Sequence, residues 1–281
     1  MIEGKTITLR DRGCLLNGEE SSYDQDSVSV SVYLTNSCNA ECKFCCNPKK
    51  SGIAFDITKF QNFIKELETK APIRKITFTG GEPAMEISRL QNCVEIARNS
   101  CNKIIICTNG FLLRNYRQPD ISFLKLVDNI SVSRHHWVQH KNDKLFCHWM
   151  GNPFVDIPFL DKVNISCNLI EGYVDSWYNM INMLEFASRQ HIENVSFVKL
   201  MPVNQFCIQN RVDIDTNAIV DKVIRYTTWS HHVPRICNCS NYVYTAKNGM
   251  LIKFYIRENM CSNYNMGSYI IYRDNQIYDW Y

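Results

Sequence analysis

The chain has no apolar run approaching the ~18 residues needed to span a bilayer. Its first residues, Met1-Ile-Glu-Gly-Lys-Thr, hold no apolar signal core. A membrane-embedded or secreted protein is therefore not expected. Charge of one sign is lacking too, since 31 Lys and Arg stand against 28 Asp and Glu. Without a global field, neither nucleic acid nor an anionic membrane is indicated as a partner. Internal repeats, charged tails and low-complexity linkers are absent from the sequence. At 281 residues, the chain can bury a sizeable core as one large domain or as a barrel with a smaller appendage. Cysteine, by contrast, is abundant, with 14 residues. In a secreted chain these would suggest a disulfide framework. With no signal core, the expectation is a reduced, cytoplasmic protein.

The stretch that organises the chain is Cys38-Asn-Ala-Glu-Cys42-Lys-Phe-Cys45, which follows the apolar run at 28–34. Three thiols spaced by three and then two residues can turn inward on one compact loop, the usual way of ligating an iron–sulfur cluster. A cubane cluster has four irons, so three cysteines leave one iron open to a small chelating molecule. Zinc is the competing reading, but it takes four tetrahedral donors, typically from pairs spaced C-x2-C. No Cys or His stands at that spacing directly downstream. Cys46 points away from its neighbour and is read as a non-ligand. The spacing, with Phe44 just before the third cysteine, resembles the signature of the radical S-adenosylmethionine superfamily. In that family the open iron holds the amino and carboxylate groups of adenosylmethionine.

Five further units follow the run at 28–34 in the pattern strand, polar turn, helix. Their strands are expected at 75–79, 103–107, 129–133, 163–170 and 195–200. Asp56 and Asp215 are expected to cap helices. Six strands alternating with helical segments predict an α/β fold with a parallel sheet and helices outside it. The resemblance implies a partial (β/α)6 TIM-like barrel with a small C-terminal β-rich extension. The expected division is an N-terminal hairpin over 1–27, the barrel over 28–205, and a helix with short antiparallel strands over 206–281. Turns in the last part are expected at Asn248-Gly249 and Asp274-Asn275.

The strand ends carry the candidate chemistry, because active sites of such barrels lie there. Gly80-Gly81-Glu82-Pro83 could be an ordinary strand-to-helix turn. The resemblance instead assigns it to the amino group of adenosylmethionine, with Glu82 as charge partner and the glycines permitting close approach. Thr108-Asn109-Gly110 resembles the Thr-Asn-Gly of the GTP 3′,8-cyclase branch, near the ribose and carboxylate of the cofactor. Ser131 and Ser133 share one strand face, and Ser133, nearer the end, is the candidate for the same groups. Arg134-His135-His136 departs from the family's commoner Ser-Leu-Asp. Arg134 offers a bidentate fork for the cofactor carboxylate or an anionic substrate, while at least one histidine is expected to be simply packed. Lys199 could reach the cavity or be a solvated charge.

The resemblance also bears on the tail and on partners. Cys237, Cys239 and Cys261 are similar to the cysteines of an auxiliary second iron–sulfur cluster. The single residue between the first two is tight, and plain thiols are narrowly favoured. The cofactors implied are a [4Fe-4S] cluster and S-adenosylmethionine. The activity implied is reductive cleavage of the latter to a 5′-deoxyadenosyl radical, which abstracts hydrogen from an unidentified small-molecule or peptide substrate. An external one-electron donor of flavodoxin or ferredoxin type is implied as well. A true GTP cyclase is disfavoured, because its C-terminal cysteine spacing and Gly-Gly tail are missing. The alternative from another class is a non-catalytic iron–sulfur or zinc sensor on a degenerate barrel, which should have lost Glu82 and the ordered strand endings.

Overall fold

The structure is a computed structural model that describes residues 11–14, 27–47, 53–113, 121–212, 215–229, 241–256 and 266–279. In chain order its elements begin with strands β1 (Asp11–Cys14) and β2 (Val28–Thr35), helix α1 (Ile57–Glu68), β3 (Ile73–Gly80), α2 (Ile87–Arg98), β4 (Cys101–Thr108) and β5 (Asn129–Ser133). They continue with α3 (Gln139–Phe146), β6 (Val163–Leu169), α4 (Trp177–Arg189), β7 (Asn194–Lys199), a short helix α5 (Gln205–Gln209) and α6 (Thr216–Thr228). Strands β8 (Asn241–Thr245), β9 (Leu251–Tyr255), β10 (Met266–Arg273) and β11 (Gln276–Asp279) complete the chain.

The six expected strands appear as β2 to β7, hydrogen-bonded in sequence order and all parallel. The C-terminal strands form the expected antiparallel pairs, β8 with β9 and β10 with β11. Both pairs also extend the sheet. β10 joins β2 in parallel at one margin, and β9 joins β7 in parallel at the other. The parallel run is thus eight strands long among the described residues, within a single sheet. The physical reason lies in the open margins of a six-stranded sheet, whose unpaired backbone groups are satisfied by further strands.

Alternation along the strands explains the layering. Val28, Val30, Val32 and Leu34 of β2, and Ile76 and Phe78 of β3, are buried in the core shared with the helices. Helix α1 brings Phe60, Phe63, Ile64 and Leu67 to that core at the expected spacing. Each such side chain contributes about 1.5–3 kcal/mol by leaving water. Asp56 caps α1 by accepting from the N–H groups of Thr58 and Lys59, and Asp215 caps α6 in the same way. Between β10 and β11 the chain turns at Asp274 and Asn275, both with positive φ. Asn275 then binds the backbone on either side of Phe55, accepting from Asp56 N–H and donating to Ala54 C=O, at 2.8 Å each.

The other strand face is polar. Ser29, Ser31, Asn164 and Ser196 are buried, and Ser131, Asn164 and Ser196 are linked by hydrogen bonds across β5, β6 and β7. Most barrels of this type fill their interior with branched apolar side chains. Here that face carries hydroxyls and amides together with Lys75, Lys103 and Lys253, which share the register positions of Ser29 and Ser196, so it is polar.

Candidate functional site

The loop after β2 is held on several sides before any cofactor is considered. The N–H groups of Glu41 and Lys43 donate to the last carbonyls of α3, those of Phe146 and Leu145, at 3.0 and 3.2 Å. Asn204, which caps α5, sends its amide to the carbonyls of Lys43 and Cys45, both at 3.2 Å. Asn109 donates to Asn39 at 2.8 Å. Phe44 packs edge-on against the stacked rings of His135 and Phe146, 4.4 and 5.6 Å away. A short loop with this many anchors has its side-chain directions set by the fold.

Gly80 and Gly81 account for the next contact. A Cβ on Gly80 would lie 2.4 Å from the Thr35 carbonyl, and one on Gly81 would lie 2.0 Å from that of Ser37. Any side chain there would push the end of β3 away from the cysteine loop. The hydrogen bonds from Gly81 N–H to Thr35 C=O and from Glu82 N–H to Ser37 C=O, 2.7 and 2.8 Å, would then be lost. The close approach that these glycines permit is, within the protein, to the cysteine loop.

Glu82 is 1% exposed. Oε1 accepts from Thr108 Oγ1 at 2.6 Å and from Ala84 N–H at 3.1 Å, and Oε2 accepts from Asn109 N–H at 2.7 Å. Burial pushes its carboxyl above the usual range, opposed by these three bonds. No Lys or Arg among the described residues forms an ion pair with it. Thr108 and Asn109 are thus engaged mainly in holding Glu82 and their own turn. Thr108 Oγ1 also accepts from Gly110 N–H, and Asn109 Oδ1 from Phe111 N–H.

These parts enclose a pocket of about 310 Å³ whose lining includes Cys38, Cys42, Cys45, Gly80, Gly81, Glu82, Thr108, Asn109 and Ser133. Nine of the ten expected site residues therefore meet at one place. Asn36, Glu41, Asn47, Thr79 and Cys107 also line it, with Ala40, Phe44 and Phe146 as its apolar part. Burial raises the thiols of Cys38 and Cys42 above the ordinary range.

Arg134 is the exception and a correction. It is 1% exposed and absent from the pocket lining. Its fork donates to the carbonyls of His136 (2.8 Å), Trp137 (3.3 Å) and Gly151 (3.4 Å), and to Gln139 Oε1 (2.8 Å). Its planar end lies 4.8 Å from the centre of the Phe186 ring. Burial lowers its pKa to about 10. The two histidines are packed as well. His135 Nδ1 accepts from Asn168 N–H and His136 Nδ1 from Val138 N–H, each at 2.9 Å, which puts the proton of each neutral ring on Nε2. Burial, aided by neighbouring cations, lowers their pKa values to about 3 and about 4. Lys199 lies on the register positions of Phe197 and Leu169, which face the helices. Cys237, Cys239 and Cys261 lie outside the described residues.

The pocket can be tested for fit with the implied groups. The thiols of Cys38, Cys42 and Cys45 line it on one side, within one short loop, as the ligands of a cubane would. Glu82 has acceptor capacity to spare, and the buried Oδ1 of Asn47 has no partner. The pocket is short of donors and of positive charge, so it fits an ammonium group. Asn204, Asn47 and Phe146 were not foreseen. Only Asn204 had a signal, as a cap residue just after Pro202, and its loop partners lie some 160 residues away.

Residues 26–152 match the family described as 4Fe-4S single cluster domain. Over 131 residues the chain is 27% identical to the sporulation killing factor maturation protein SkfB of Bacillus subtilis, covering 46% of this chain and 30% of that protein. Over 111 residues it is 31% identical to the probable GTP 3′,8-cyclase of Saccharolobus solfataricus, covering 37% of this chain and 33% of that one. Among solved structures, Streptococcus suis SuiB, bound to precursor peptide SuiA, shares the fold with a TM-score of 0.57 and 14% identity. That superposition covers 72% of this chain and 46% of SuiB. The chain thus matches about a third or less of the length of these curated relatives.

Proposed function

We propose that this chain, a member of the radical S-adenosylmethionine superfamily with a [4Fe-4S] cluster and S-adenosylmethionine as cofactors, is an enzyme that modifies a peptide. Bound together, those two groups supply one-electron cleavage of a sulfonium C–S bond and abstraction of a hydrogen atom from a C–H bond. Cys38, Cys42 and Cys45 hold the cluster as thiolates. Glu82 binds the cofactor's ammonium, and Thr108 and Asn109 keep its carboxylate aimed. Ser133, whose hydroxyl makes no hydrogen bond with a described residue, binds the cofactor's carboxylate or ribose. Phe44 and Phe146 exclude water from the apolar side. A flavodoxin- or ferredoxin-type protein supplies the electron.

The observation that carries this reading is Glu82, a buried carboxylate with no cation beside it, in the wall that holds three cysteine thiols. Leaving such a charge uncompensated is costly, so the site favours a cationic guest. The peptide substrate rests on the name of SkfB, a maturation protein, and on the polar strand face below the pocket. The deciding experiment measures 5′-deoxyadenosine from anaerobically reconstituted, reduced protein. Deuterated peptides and small metabolites are then screened for transfer of deuterium into that product. Formation of 5′-deoxyadenosine with deuterium from a peptide is the expected result. No 5′-deoxyadenosine under any condition overturns the enzyme, and deuterium from a small metabolite alone overturns the peptide.

A further inference from the structure

One surface next to the cysteine loop plays no part in the pocket. Trp149 is 60% exposed, and its ring lies 6.1 Å from that of Phe111. Phe111 belongs to a small apolar cluster with Phe146 and Met150, against which Cys42 packs. An exposed indole thus neighbours the apolar cluster against which a cysteine of the pocket packs. Lys141 and Lys144 are exposed on α3, and Lys43 is exposed on the loop that α3 holds through its last carbonyls. None of the three ammonium groups forms an ion pair with a described residue. Asp143 does not offset them, because its carboxylate is turned inward to accept from Gln139 and from Met150 N–H. Glu41, on the same loop, is the one exposed acid among these residues.

We propose that this face, made by α3, Trp149 and the outer side of the cysteine loop, is where an acidic one-electron carrier protein docks to reduce the cluster. The proposal rests on the reading of the pocket as a cluster site. An exposed aromatic among unpaired cations has the composition of a steered protein interface, with charge guiding the encounter and the ring anchoring it. The sign of the charge selects an acidic partner. The route to Cys42 selects an electron carrier, since Trp149, Lys141 and Lys144 lie outside the pocket lining. In the transfer one electron leaves the carrier, which is oxidised, and reduces the cluster, with no bond made or broken.

The test compares two reductants of the reconstituted protein in stopped flow, reduced bacterial flavodoxin and dithionite. The variants are Lys141→Glu/Lys144→Glu and Trp149→Ala, all at exposed positions. Reduction by flavodoxin is expected to slow by roughly tenfold or more in the double variant and to lose most of its salt dependence. Reduction by dithionite should be unchanged. Carbodiimide cross-linking of flavodoxin to Lys141 or Lys144 of the parent protein is a second readout that needs no turnover. A parental flavodoxin rate in both variants, with cross-links elsewhere, overturns the proposal. So does loss of binding to an acidic peptide while the flavodoxin rate is kept, which would mark the face as a peptide site. Failure to take up a cluster would show in the dithionite arm and count against the cofactor reading, leaving cross-linking to judge the docking face.

Discussion

The ends of β3 and β5 both carry charged groups at the top of the same sheet, yet they use them in opposite ways. Glu82, after β3, is buried with its acceptors facing a pocket and no cation near it. Arg134, after β5, is equally buried with its donors consumed by carbonyls of the chain that leads into and out of α3. The difference lies in what surrounds each charge. Glu82 receives three bonds and still has lone pairs to offer, so a guest can complete it. Arg134 meets enough acceptors to be complete without one. A charge near a barrel mouth is thus a candidate for binding only where the protein has left it incomplete.

Several substitutions can break or sharpen this contrast. Replacing Cys38, Cys42 and Cys45 together by Ala should have the largest effect, taking iron from about four per chain, as a cubane requires, to almost none. Iron and sulfide analysis reads it, and retention of about four irons would place a cluster on Cys237, Cys239 and Cys261 instead. Arg134→Met should come next, because each orphaned carbonyl costs about 1–3 kcal/mol. A loss of about 3 kcal/mol in urea unfolding is expected, with cofactor affinity unchanged in the folded variant.

The buried histidines give a smaller effect that depends on pH. Their folded pKa values are depressed, so the stability they confer is present above the unfolded value near 6.5 and is lost as pH falls from there towards about 4 and about 3. At pH 5 each costs about 2 kcal/mol. His135→Phe should remove its share, so the variant's urea midpoint should fall less than the parent's between pH 7 and pH 5. An equal fall in both proteins would mean that His135 is solvated.

Much of this was legible before folding. The six strands and the caps Asp56 and Asp215 follow from period and end signals that are local. So does the cysteine motif, whose three thiols lie within one loop. The role of Gly80 and Gly81 was half legible: closeness was foreseen, but not the contact with the backbone at Thr35 and Ser37. Long-range satisfaction of polar groups was not legible. Arg134 looked available because its acceptors, the Gly151 carbonyl among them, come from a loop whose path no local pattern reveals. Asn204, which caps a short helix, was not foreseen as an anchor of the cysteine loop. The C-terminal strands read correctly as antiparallel pairs, but sequence alone did not show that they would close the sheet's margins.

The contrast between Glu82 and Arg134 is tested most directly by titrating S-adenosylmethionine into the reconstituted protein and its Glu82→Gln and Arg134→Met variants, at matched iron content. Removing the charge of Glu82 while keeping its shape should weaken binding by about tenfold, equivalent to about 1.4 kcal/mol. Arg134→Met should bind as the parent does. Unchanged affinity in Glu82→Gln together with a tenfold loss in Arg134→Met would contradict the assignment of the pocket.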